Sequence, residues 1–206
     1  LADVDHDADT DVYVANDTVN NFLYVNHGDG TAEEAALLSA CAVDALGKPN
    51  GSMGVEFFDY NHDLIGDLWV TNFEQENCCL YQGMGDHQFL DVARDSGIAA
   101  MGDLFVGFGT VARDLDGDGD ADIVVANGHV IYHPNKAFFE QQSILLENQT
   151  GKRFVRGEVS PDSFFSKRYA ARGVAAADLD CNGTTDLVVT TLNGGPIVLS
   201  NRPHHS

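Results

Sequence analysis

Asp114-Leu115-Asp116-Gly117-Asp118-Gly119-Asp120-Ala121-Asp122, followed by Ile123-Val124-Val125, is the stretch from which the rest of the chain is read. Asp114, Asp116, Asp118 and Asp122 occupy positions one, three, five and nine of a short loop. Gly119 at position six permits the positive φ that a tight reversal needs. Carboxylates this close repel one another unless a cation sits between them. Alternating carboxylates around a glycine turn, with the carbonyl of Asp120 at position seven turned inward, make the oxygen-only cage that Ca²⁺ prefers. An EF-hand would place a glutamate at position twelve and continue as a helix. Here position twelve is Val125, in a β-branched apolar run that reads as a buried strand.

The spacing occurs three more times. Asp3, Asp5, Asp7 and Asp11 form one copy, Asp59, Asn61, Asp63 and Asp67 a second, and Asp178, Asp180, Asn182 and Asp186 the last. Position seven, the carbonyl donor, is Asp9, Ile65, Asp120 or Thr184. Position twelve is Val14, Val70, Val125 or Val189, each inside a strand-like run. The first ligands are 56, 55 and 64 residues apart, a period that marks a repeat architecture. Position six is Ala8 in the first copy and Leu64 in the second, where a left-handed backbone is costly. The second site is therefore expected to be the weakest or the most distorted. Up to four structural Ca²⁺ are expected.

The repeats run over about 1–53, 54–108, 109–172 and 173–206 within one domain. Each reads as strand, acidic loop, strand, turn, strand, glycine turn and outer strand, so the fold class is all-β, with four-stranded antiparallel units of propeller-blade size. The first repeat has only Leu1-Ala2 before its loop, and the fourth stops at Val198-Leu199-Ser200-Asn201. The chain does not open on Met and carries no leader-like segment, so it is read as a processed or partial chain. In the first repeat, Ala32 to Leu46 is read as helical or as a weak outer strand. In the third, His129 to Gln142 is an insertion carrying Tyr132, Phe138 and Phe139.

Gly107-Phe108-Gly109-Thr110, the acidic loops and the glycine turns together resemble FG-GAP/VCBS repeats, the blades of integrin-α-type propellers. Val125 to Val130, Leu145 to Asn148, Arg172 to Ala175 and Leu192 to Pro196 are similar, more narrowly, to the last repeats of ASPIC/UnbV-type secreted proteins. The resemblance implies a seven-bladed ring of which about four blades are present, with Ca²⁺ bracing each hairpin rather than catalysing.

The 206 residues carry a formal charge of −21, 44% hydrophobic residues, twelve Phe, six Tyr and one Trp. That is enough to build a core, so the acidity does not mark a disordered tail. Nucleic acid is disfavoured as a partner, since nothing in the sequence resembles a basic patch. No run of about 18 apolar residues offers a membrane span. Cys41, Cys78, Cys79 and Cys181 lack zinc spacing; a bridge from Cys41 to the vicinal pair and plain free thiols both stay open.

The expected function is an extracellular calcium-binding module for adhesion, protein or glycan interaction, or surface assembly. Sequons at Asn16, Asn50 and Asn148 suit secretion, as would millimolar Ca²⁺ outside the cell. One alternative is a filament or surface-layer subunit that pairs its open strand edges. Another is the non-catalytic propeller part of a secreted enzyme. His129 with His133, and Asp86-His87, are the only candidate chemistry, and Pro134 argues against the helix that a histidine pair would need. No catalytic residue is assigned. A partner contact is expected in the insertion, against the plain alternative of an apolar flap over the next unit.

Overall fold

The computed structural model describes residues 1–101, 104–134 and 137–202. Parts of repeats two and four, and residues 135 and 136 of the insertion, therefore lie outside the described residues. The strands are β1 (Val12–Val14), β2 (Phe22–Asn26), β3 (Ala32–Glu34), β4 (Val55–Phe58), β5 (Asp67–Val70), β6 (Cys79–Gly83), β7 (Phe89–Asp91) and β8 (Gly107–Arg113). There follow β9 (Asp122–Asn127), β10 (Gln141–Gln142), β11 (Ile144–Gln149), β12 (Arg153–Arg156), β13 (Arg168–Tyr169), β14 (Ala171–Ala177), β15 (Asp186–Thr191) and β16 (Ile197–Leu199). They form antiparallel sheets in the orders β1-β2-β3, β4-β5-β6-β7, β8-β9-β11-β12 and β14-β15-β16, with a small β10-β13 pair. The architecture is all-β and propeller-like. No helix among the described residues is long and apolar enough to cross a membrane.

Alternation along the strands explains the stacking of sheets. In β2, Leu23 and Val25 are buried while Phe22 and Tyr24 face outward. Leu23 and Val25 pack with Leu68, Val70 and Tyr81 of the second sheet. Trp69 and Leu80, on that sheet's other face, pack with Ile123, Val125 and Leu146 of the third. Val124 meets Leu187 of the fourth. Each such buried side chain contributes about 1.5–3 kcal/mol. Trp69 has no exposed surface, and its ring N–H donates to Thr110 Oγ1 at 3.0 Å, which satisfies its one polar atom.

The first strands of neighbouring sheets approach backbone to backbone. A Cβ on Gly109 would stand 2.7 Å from Val174 N and 2.8 Å from Gly173 Cα, and one on Gly54 would collide with Phe108 O. These glycines occupy equivalent places, five residues before Asp59 and Asp114.

Several expectations change here. Of Ala32 to Leu46, only β3 is an outer strand, and no helix forms; turns cover 36–40. The four cysteines are free thiols, which closes the disulfide alternative in this structure. Burial pushes the Cys41 and Cys79 thiols up to about 12 and Cys78 up to about 11. Asn50 and Asn148 are buried, at 5% and 3% exposure, so neither sequon can accept a glycan in the folded chain. His129 is not a solvated loop histidine but fully buried.

Candidate metal centres

In three of the four loops the carboxylates of positions one, three and nine converge. Asp3, Asp5 and Asp11 offer oxygens all within 4.8 Å of one another, as do Asp114, Asp116 and Asp122, and Asp178, Asp180 and Asp186. Oxygens bound at about 2.4 Å to one Ca²⁺ can be no more than about 5 Å apart, so each triad fits a single ion. The donors are hard oxygens with no thiol or imidazole among them, which suits Ca²⁺ rather than zinc. In the second loop position three is an amide: Asn61 Nδ2 donates to Asp63 Oδ2 at 2.9 Å, and no acidic triad forms among Asp59, Asp63 and Asp67.

The backbone of each loop winds around these side chains. Position one accepts the N–H of position six in every copy: Ala8 to Asp3 at 3.1 Å, Leu64 to Asp59 at 2.9 Å, Gly119 to Asp114 at 3.0 Å and Gly183 to Asp178 at 2.9 Å. Position five accepts from position seven: Asp9 to Asp7, Ile65 to Asp63, Asp120 to Asp118 and Thr184 to Asn182, each at 2.8 Å. Position six is left-handed throughout, in Ala8 and Leu64 as well as in Gly119 and Gly183. Position four is left-handed too (His6, His62, Gly117 and Cys181), a second reversal that the alternating-carboxylate pattern does not announce.

Position nine does something else. Asp11 accepts the N–H of Val4 at one oxygen (2.7 Å) and that of Asn26 at the other (2.8 Å). Asp67 does the same with Tyr60 and Gly83, Asp122 with Leu115 and Asn148, and Asp186 with Leu179 and Asn201. One buried carboxylate thus clamps the loop's second residue to the end of the third strand. Burial is the main reason that Asp67 is pushed up to about 7 and Asp122 to about 6. Asp5 is raised by burial and then by the charges of Asp7 and Asp11. Carboxylates whose charged form is this costly are those a divalent cation would relieve.

Asp120 has a separate duty. Its carboxylate is buried and accepts from Thr150 N at 2.8 Å, while Oδ1 lies 2.6 Å from His62 Nε2 of the preceding loop. In the fourth loop Thr184 Oγ1 and Asn182 Nδ2 both donate to Asn201 O at 3.0 Å.

A family model for the FG-GAP-like repeat matches residues 3–70 and 114–189, spans that contain all four loops. The chain belongs to the FG-GAP-like repeat family. No curated protein matches it closely enough to count as a relative. Among solved structures, one described as showing specific recognition of non-reducing terminal N-acetylglucosamine by an Agrocybe aegerita lectin aligns with a TM-score of 0.55 and 17% identity. The alignment covers 98% of this chain and 51% of that one, so the FG-GAP chain spans about half the length of that structure. At this identity the likeness concerns the fold alone.

Of the histidines weighed as candidate chemistry, His129 is held inside the fold. His129 Nδ1 accepts the N–H of Ile131 at 2.9 Å, and its Nε2 faces Glu74 Oε1 at 3.6 Å. Arg172 donates to the carbonyls of Gly128 and His129 and lies over the Phe108 ring, which pins the start of the insertion. Beyond it Tyr132 stacks on Phe139 with centroids 4.4 Å apart, and Arg168 covers Phe138 at 4.0 Å.

Proposed function

We propose that this FG-GAP repeat chain is a calcium-braced propeller segment that acts as a non-catalytic interaction module outside the cell. The single observation that carries the proposal is the convergence of three carboxylates in each of three loops, at a separation that one Ca²⁺ spans. The second loop would take the ion more weakly, through Asp59, Asn61, Asp63, the carbonyl of Ile65 and Asp67. The four repeats would form about four blades of a larger ring, in line with the seven-bladed expectation.

Neutralising the loops also answers the charge problem. Four Ca²⁺ would add eight positive charges to a formal −21, much of it concentrated in the four loops. The partner would be a protein or a glycan. The insertion is the favoured contact, because Val130, Ile131, Tyr132 and Phe138 are all more than half exposed there.

Calorimetric titration of the chelator-treated chain with Ca²⁺, beside thermal melts in millimolar Ca²⁺ and in chelator, tests the proposal. Binding of about three ions with a rise in the melting midpoint is the expected result. An unchanged midpoint and no binding heat would reduce the loops to acidic turns.

A further inference from the structure

Loop two is the loop without a converged acidic triad, and its positions two, three and four each meet the third sheet. At position two, Asn148 Nδ2 donates to Tyr60 O at 2.9 Å. Phe154 packs on the Tyr60 ring with centroids 6.0 Å apart, as Phe89 packs with Val4 at position two of loop one. At position three, Gly151 lies so close that a Cβ on it would stand 2.9 Å from Asn61 Cα. At position four, His62 Nε2 bonds the Asp120 carboxylate.

The residues that make these contacts are themselves held by loop three. Asp122, at position nine, accepts the N–H of Asn148 at 3.0 Å, and Asp120, at position seven, accepts that of Thr150 at 2.8 Å. Asn148 Oδ1 closes the turn by accepting from Gly151 N at 3.1 Å. An ion in loop three would be bound by the Asp122 carboxylate and the Asp120 carbonyl, and so would fix both anchors of the turn. With no ion, the charges of Asp114, Asp116 and Asp122 repel and loosen the same anchors. Loops one and two lack this path: Gly83 stands where Asn148 would and has no side chain to reach Val4, and Ile65 stands where Asp120 would. Between loops three and four only the asparagine recurs, Asn201 Nδ2 to Leu115 O at 2.6 Å, since Gly117 replaces His62.

We infer that the metal site of loop two is completed from the third repeat: Asn148, Gly151 and the Asp120 side chain are its positioning residues, and loop two binds its ion only weakly until loop three has filled. Together they hold Tyr60, Asn61 and His62, three consecutive residues around the position-three ligand. Residues already held in shape spare the ion the entropy of ordering them. Because loop three stiffens that frame only when it is filled, the two sites are coupled, and such a coupling is reciprocal. The inference rests on the calcium reading of the loops.

Ca²⁺ titrated into the chelator-treated whole chain is the probe, followed by the amide signals of the position-six donors Ala8, Leu64 and Gly119, one for each of loops one, two and three. Loop three is expected to fill before loop two. In Asp114→Ala, which removes position one of loop three, the loop-two midpoint moves to about fivefold higher Ca²⁺ or more, while that of loop one stays in place. His62→Ala moves the loop-two midpoint the same way with loop three unchanged, and so does Asn148→Gly, which copies the second sheet's Gly83. His62 is half exposed, so His62→Ala carries the test alone should the other variants unfold. A loop-two midpoint unmoved in Asp114→Ala, or unmoved in both of the others, would overturn the inference. Filling of the other loops with loop two left empty would overturn it as well. Filling of all four with independent midpoints would sink the inference and leave the calcium reading standing, whereas no filling anywhere would sink both.

Discussion

His62 Nε2 lies 2.6 Å from Asp120 Oδ1, an ion pair that ties the second acidic loop to the third. The hydrogen bond to Asp120 is the largest of the causes that raise the His62 pKa. A histidine raised on folding contributes stability that is present below its unfolded value, about 6.5, and lost as pH rises through the folded value. His62→Ala should therefore lower the melting midpoint at pH 6 more than at pH 8.5, at fixed Ca²⁺. The side chain is half exposed, so the gap should be small. Melts of the two proteins at both pH values check it, and a gap that widens toward high pH would refute the pairing.

The position-nine clamp predicts a graded response. Asp122→Ala strands the N–H groups of Leu115 and Asn148, costing about 1–3 kcal/mol for each one kept from water. Asp122→Asn keeps one acceptor oxygen and should cost less. Urea unfolding in chelator, where no ion contributes, measures both.

Asp67 and Asp122 carry raised values of about 7 and about 6 because burial disfavours their charge. With no ion bound, the folded chain holds more protons than the unfolded chain between about pH 4 and pH 7. Stability in chelator should thus rise as pH falls from 8 toward 5. In millimolar Ca²⁺ the sign should reverse, since protons then compete with the ion for the same oxygens. Denaturant midpoints across that range, with and without Ca²⁺, test the pair of slopes.

Leu64 is 85% exposed and left-handed, with φ of 66°. Glycine takes that conformation without the roughly 1–2 kcal/mol that a side chain costs there, and gives back part of the gain as unfolded-chain entropy. Leu64→Gly should stabilise the chain by up to about 1 kcal/mol in urea melts and tighten the second loop for Ca²⁺.

The loop frames and the strands that follow them were legible because carboxylate spacing and strand alternation are both local patterns. The second loop's poorer set was legible too, since Asn61 and Leu64 break the pattern in plain sight. Position four carries no such mark: His6, His62 and Cys181 give no hint of a left-handed turn, which the wrapping of backbone around position one imposes. The double grip of Asp122 on Leu115 and Asn148 also needed coordinates, because its second partner is 26 residues away. His129 looked like a loop residue, but the insertion folds its ring inward against Phe73 and Glu74.

Gly54 and Gly109 let the first strands of adjacent sheets touch through their backbones. The separation of neighbouring units at the inner rim is therefore set by bare main chain, while at the outer rim whole side chains such as Phe89 and Phe154 act as spacers. A wedge that is thin inside and thick outside has a fixed angle, and that angle determines how many wedges complete a circle. An alanine at Gly109 would blunt the thin end. The curvature of the arc, and so the circumference of any ring built from it, depends on two absent methyl groups.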